Sequence, residues 1–232
     1  GPYYPGVRVS SLFLIAVVLA QPALGGPWIM PGDTALRHDI QVLSDAGVIT
    51  AADTTWPLSW GDIAGSLNSQ AVDLSADEIA ALARLDKLVA RNTRTGQLDF
   101  KTSFSVAANA REIRTFEDGP RENAEIGIGA EWTGNWLAFN LEGQWVDDPD
   151  DGDEWRADGS YVGAALGNWM LSASISDRWW GPAWQGSLIQ GNNNRPIPGF
   201  TIERNSTEAF KTRWLSWIGP WDATVFWGFL GP

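Results

Sequence analysis

The sequence predicts a mainly β fold: an antiparallel transmembrane β-barrel, partial and truncated, preceded by a small water-facing α-helical module. Three observations predict it. The apolar period changes from about 3.6 to about 2 at Gly96. The period-2 runs after that point are about 9 to 11 residues long, the length a tilted strand needs to cross a bilayer. The chain also holds 15 Trp in 232 residues, and Trp gathers where an apolar surface meets a wet one.

Residues 1–25 read as an export signal peptide. Arg8 is the charge of a short leading region, and Leu12 to Ala20 is an apolar run too short to span a bilayer as a helix. Ala23 and Gly25 supply small residues for cleavage before Gly26. The rival reading of this run is a buried strand or short core helix. No later segment is continuously apolar for about 18 residues, so an exported membrane protein built on this chain must be a barrel. The chain lacks an initiating Met and stops at Phe229-Leu-Gly-Pro232 in mid-alternation, which reads as a fragment.

Residues 26–96 carry the helical period. Asp33 can cap a helix with apolar Leu36, Ile40 and Leu43 on one stripe, closed at Gly47. Ser59, three residues before Asp62, can cap a second short helix containing Ile63 and Leu67. Ser75 with Glu78 forms a capping box and opens a third helix, with Ile79, Leu82, Leu85 and Val89 expected along one face. Three such amphipathic helices predict a small water-facing module.

Residues 97–232 alternate. Leu98, Phe100, Phe104 and Val106 alternate with Asp99, Lys101, Ser103 and Ser105; Ile126, Ile128 and Trp132 alternate with Glu125, Gly127 and Glu131. Further runs cover 137–145, 169–175 and 221–229. A soluble antiparallel sheet buried on one face would alternate too. Two features favour the barrel: aromatic residues at the ends of the apolar faces (Trp132, Trp136, Trp145, Trp169, Trp221), and connections of unequal length. Gly134-Asn and Gly167-Asn are tight turns, whereas 107–123 and 147–160 are long and charged.

Composition narrows the chemistry. A net charge of −12 argues against a nucleic-acid partner, and the absence of Cys excludes disulfides and Cys-based zinc sites. With His38 alone, on a predicted helix, a Ser-His-Asp triad is not expected. Glu125, Glu131 and Glu142 leave carboxylate-based glycoside hydrolysis open as a minor reading. The acidic stretch Asp147-Asp-Pro-Asp-Asp-Gly-Asp-Glu154 invites a Ca²⁺ reading, but Pro149 breaks an EF-hand spacing and a solvated outer loop is favoured. No cofactor is expected.

The segment from Asp177 to Glu203 breaks the alternation and concentrates Trp, Arg, Asn and Pro. Trp faces stack on sugar C–H faces, while Arg and Asn bond hydroxyls and Arg pairs the carboxylates of acidic sugars. Candidate glycan contacts are therefore Arg178, Trp179, Trp180, Trp184, Gln185, Asn192, Asn193, Asn194 and Arg195. The competing reading of the same segment is a structural plug or constriction inside the barrel.

Two stretches, Gly32 to Ile49 followed by Thr54 to Trp60, and Asp177 to Ile189 with Asn193 to Pro198, resemble the Wzi capsule-assembly family. The resemblance implies a monomeric 18-stranded outer-membrane barrel with a periplasmic helical bundle. It implies a surface lectin with capsular or extracellular polysaccharide and outer-membrane lipids as partners, and no catalysis. Only seven or eight strands are countable after Gly96, and the family's glycan contacts, attributed to the outward-facing side of the barrel, cannot be carried over residue by residue. A porin-like or polysaccharide-export barrel and a glycan-modifying enzyme are the rival functions.

Overall fold

The computed structural model describes residues 28–67, 73–107, 113–149 and 151–230; the expected signal peptide lies outside them. The helical module forms where its caps predict. Helix α1 (Thr34–Asp45) begins at Asp33, whose carboxylate accepts from the Leu36 N–H at 2.9 Å. Helix α2 (Trp60–Leu67) starts behind Ser59, whose Oγ accepts from the Gly61 and Asp62 N–H groups. Helix α3 (Ala76–Asn92) opens with the complete Ser75–Glu78 capping box. Ile40, Leu43, Ile63 and Leu85 are 0% exposed and form one core with Val48, Ile49 and Ala81. Ile79 departs from the expected stripe and is 56% exposed. At 100° per residue it lies about 120° around the helix from Leu85, while Ala81 falls within about 40° and takes the buried place.

Two short antiparallel ribbons fasten the module. Strand β1 (Trp28–Ile29) pairs with β3 (Leu58–Ser59), and β2 (Thr55–Trp56) pairs with β10 (Trp179–Trp180) from the far end of the sequence. At Gly96 the chain leaves the helices with φ +80, a conformation that costs glycine little, and its N–H donates to the Thr133 carbonyl at 2.7 Å.

The sheet is an antiparallel meander. Its strands are β4 (Leu98–Val106), β5 (Ala124–Thr133), β6 (Leu137–Asp147), β8 (Tyr161–Leu166), β9 (Trp169–Ser174), β11 (Gly199–Arg204) and β12 (Thr224–Gly228), in that spatial order, with β7 (Trp155–Arg156) beside β6. It is open: β4 and β12 are its edges. The expected length of 9 to 11 residues holds for β4, β5 and β6, but β8, β9 and β11 have 6 residues each and β12 has 5. Trp221 and Ala223, expected to open the last strand, precede it. Trp221 turns aside because its N–H donates to the Thr207 carbonyl and its ring lies 3.8 Å from the Arg204 guanidinium. The end of the supposedly irregular 177–203 segment is β11, with Phe200 and Ile202 outward and Thr201 and Glu203 inward.

Register turns the alternation into two faces. One rung runs Leu98–Trp132–Phe139–Val162–Ala173–Phe200–Trp227 across seven strands. The neighbouring rung runs Asp99–Glu131–Asn140–Tyr161–Ser174–Gly199–Gly228. The apolar face stays uncovered, with Phe100 78%, Phe104 76% and Ile128 70% exposed. On the polar face Trp28 packs edge-on against Tyr161, donates its indole N–H to Glu203, and lies so close over Gly163 that any side chain there would strike the ring.

Candidate functional site

The meander sends its connections to two ends. At the end where β4 begins lie the tight turns after β5 and β8, together with the 205–223 connection. At the opposite end lie the three long connections 107–123, 148–160 and 175–198. These three are charged, and they are tied together by arginines. Arg121 donates to the Asn192 and Asn194 carbonyls at 3.0 Å and pairs with Asp177 at 2.6 Å. Arg156 joins Glu122 at 2.8 Å to Asp151 at 2.9 Å. Arg195 gathers Asp151, Asp153 and Asp158 at 2.9 to 3.1 Å. Within the acidic stretch, Asp151 and Asp153 are thereby paired with arginines of the protein itself. Among the described residues no group of three or more His, Cys, Asp or Glu side chains could hold a metal ion.

Below these loops, against the polar face of β4, β5 and β6, is a cleft of about 460 Å³. Ser103, Ser105, Glu125, Glu142 and Gln144 line it from the sheet, and Arg121, Arg156, Asp158, Ser176 and Asp177 from the loops. Burial raises the Asp177 carboxyl above its ordinary value even though Arg121 pulls the other way. The Asp151 carboxyl is held at about 2: burial opposes its ionisation, but the Asp153 N–H and the Arg195 and Arg156 guanidinium groups outweigh it. The lining offers hydroxyl and amide donors beside carboxylate acceptors, and its two arginines are already paired. That arrangement can hydrogen-bond a polyhydroxylated molecule.

The nine candidate residues divide sharply. Arg178 is 6% exposed and donates to the Ser176 carbonyl, Ser174 Oγ and Thr201 Oγ1 at 2.9 to 3.0 Å, with Phe226 3.9 Å from its guanidinium. Burial depresses its pKa to about 10. Trp179 is 1% exposed and donates to the Ala183 carbonyl. Asn192 is 4% exposed beneath the Thr115 and Phe116 carbonyls. These three hold the segment in place. Trp180 and Trp184 are half-buried, and the Trp184 indole donates to Gln41 at 3.2 Å. Arg195 is occupied by its three carboxylates. Gln185, Asn193 and Asn194 are exposed, although Asn193 Oδ1 accepts from the Arg114 N–H at 2.8 Å.

Sequence reasoning missed the hub that anchors this segment to the helices. Phe116, 0% exposed, lies 4.9 Å from Trp56, 5.8 Å from Trp179 and 6.1 Å from Trp184. Arg37 sits 4.2 Å above Phe116 and 4.7 Å from Trp184 and donates to the Pro182 and Ala183 carbonyls. The available signal was a single aromatic residue inside an otherwise charged loop. His38, by contrast, is at the surface of α1 as expected, 67% exposed in its side chain.

Comparisons with known proteins agree on one family. The family described as Capsule assembly protein Wzi matches over residues 103–231, more than half of the chain. An uncharacterized 55.8 kDa protein in the cps region of Klebsiella pneumoniae is 30% identical over 220 residues, 93% of this chain and 42% of its own length. A solved structure described as Wzi, an outer membrane protein involved in group 1 capsule assembly in Escherichia coli and a carbohydrate-binding β-barrel, superposes with a TM-score of 0.74 at 30% identity. That match covers 85% of this chain and 44% of the solved one. The chain thus spans less than half the length of either relative.

Proposed function

The chain belongs to the capsule assembly protein Wzi family, and on that premise we propose that it forms part of an outer-membrane β-barrel that attaches or organises capsular or extracellular polysaccharide at the cell surface, as a lectin and without catalysis. In this reading the apolar rungs face lipid, the helical module and tight turns face the periplasm, and the three long loops face outward. The observation that carries the reading is the polar cleft of about 460 Å³ gathered under those loops, in a relative of a barrel described as carbohydrate-binding. The barrel works as a monomer.

The mechanism is hydrogen bonding to a repeating chain. Gln185, Asn193 and Asn194 present amides, Trp184 and Trp180 offer partial ring faces, and the cleft supplies hydroxyl and carboxylate partners. Arg178, Trp179 and Asn192 serve by fixing the loop, and Arg195 by closing the acidic stretch. With Arg121, Arg156 and Arg195 all paired, neutral hydroxyl-rich stretches of the glycan suit the cleft better than its carboxylates. Each contact is weak, and many repeats acting together supply retention.

The test is capsule retention by cells carrying the full-length chain. Gln185→Ala combined with Asn193→Ala and Asn194→Ala should lower retention several-fold while barrel assembly stays intact. Unchanged retention removes these amides from the function. Purified protein that carries steady ion current in planar bilayers would favour a porin-like or export barrel, and new reducing ends in incubated polysaccharide would favour an enzyme.

A further inference from the structure

The end of the sheet opposite the loops carries a second cavity, and its chemistry differs. The 205–223 connection folds back against the start of β9 and the end of β11 and forms an open cleft of about 560 Å³ with α2 as one wall. Its lining includes three rings, Trp169, Phe210 and Trp221, and three polar side chains, Asn168, Glu208 and Lys211. The rings form a connected set, with Trp221 6.4 Å from Trp169 and 5.2 Å from Phe210. Arg204 does not serve as a ligand: it lies 3.8 Å from the Trp221 ring and donates to the Trp221 and Glu208 carbonyls at 2.8 and 3.1 Å. It fixes the ring wall.

Two features specify the occupant. The first is continuity with the uncovered apolar face. Trp169 is 42% exposed, the next outward pair of the ladder, Leu171 and Ile202, is 37% and 47% exposed, and beyond the cavity Trp214 and Trp217 are 73% and 80% exposed. The second is charge. Lys211 Nζ stands 3.7 Å from the Glu208 carboxylate, with side chains 91% and 67% exposed, so the two are free to part around a ligand. Lys211 and Arg213 offset Glu208 and Asp222, so this connection is neutral in a chain of net charge −12. An opposite-charge pair at the rim of an apolar surface matches a molecule with an anion and a cation at the head of a hydrocarbon tail. A sugar could stack on the indoles but would leave the continuous apolar face beside them without a partner.

We propose that this rim binds a zwitterionic glycerophospholipid, its phosphate on Lys211, its amine on Glu208, its glycerol region against Trp169 and Trp221, and its acyl chains along Leu171 and Ile202. The site rests on the membrane placement proposed above and adds a specific lipid contact at the periplasmic leaflet. Amphipathic indoles at a bilayer interface and charge-assisted bonds to phosphate supply the affinity.

Native mass spectrometry of the full-length chain in nonionic detergent, titrated with phosphatidylethanolamine or phosphatidylglycerol, tests it. One phosphatidylethanolamine should persist per chain. Lys211→Gln should weaken it about fivefold to tenfold, the loss expected on removing one exposed charge-assisted contact. Glu208→Gln should narrow the preference over phosphatidylglycerol. Brominated acyl chains should quench Trp fluorescence less in the Lys211→Gln, Glu208→Gln double variant. Equal lipid retention by wild type and double variant, or equal retention of both lipids by wild type, overturns the proposal. Vesicle flotation separates the two levels: a chain that fails to insert defeats the membrane reading, whereas one that inserts but holds no distinct lipid defeats this site alone.

Discussion

The helical module and the sheet are both rich in large apolar side chains, and they treat them in opposite ways. In the module Ile40, Leu43, Ile63 and Leu85 are 0% exposed, packed around Trp56 and Phe116. In the sheet Phe100, Phe104, Ile128 and Trp227 are 70% to 78% exposed, in register along continuous rungs. The module hides its apolar surface by helix-on-helix packing, so water is a sufficient solvent for it. The sheet instead covers the polar face of β8, β9 and β11, where Tyr161, Ser174, Thr201 and Glu203 are buried under Trp28, Arg178 and the inward-folded loops. Contiguous apolar faces of that extent mark a surface made to be covered, and on the membrane reading lipid covers it.

The comparison can be broken by substitution. The largest effect is expected inside the module: Leu43→Ala or Ile63→Ala should cost about 2–5 kcal/mol by emptying a filled core position, read as a lowered unfolding midpoint of the helical signal. Next comes the outer face. Ile128→Arg should cost about 2–4 kcal/mol if that face meets the bilayer midplane, and within about 0.5 kcal/mol if it meets water. Refolding into lipid vesicles under a urea series distinguishes the two values.

A smaller loss is expected at the seam between the regions. Arg178→Ala should cost about 1.5–3 kcal/mol by stranding Ser174 and Thr201, measured as the fraction of barrel that stays folded. Arg178→Lys should restore little of it, because a single ammonium cannot reproduce the guanidinium fork.

The smallest effect sharpens the comparison at the loops, where charge replaces packing. The Asp151 carboxyl, held at about 2, lies below the ordinary unfolded value of about 3.9. Its contribution is therefore complete above about pH 4 and disappears as pH falls through about 2. The side chain is 38% exposed, so solvent screening keeps the contribution under about 1 kcal/mol. Proteolysis of the 147–158 loop should quicken over that window, and Arg195→Ala should bring the same quickening at neutral pH.

Much of this architecture is legible from local pattern. Asp33, Ser59 and Ser75 cap helices as their spacing predicts, because capping bonds reach only two or three residues along the chain. The period change at Gly96 is equally local. The candidate site was legible as a segment and not as a set of contacts. Trp179 and Trp180 are neighbours of the same type, yet Trp179 is in the core and Trp180 is half-buried, because a two-residue ribbon with Thr55–Trp56 turns them to opposite sides.

By itself the sequence determined the three helices, the long strands β4, β5 and β6, the alternation that gives the sheet two faces and the family to which the chain belongs, since each depends on residue types at short spacing, whereas β11 and the short ribbons were not legible in it. Tertiary structure alone decided which side chains of the 177–203 segment hold the fold and which remain free. Arg178 is committed by Thr201, Asn192 by Phe116 and Arg195 by Asp151. Those partners are about 20 to 80 residues away in sequence, and whether a polar group is available to a ligand depends on which remote segment has already satisfied it.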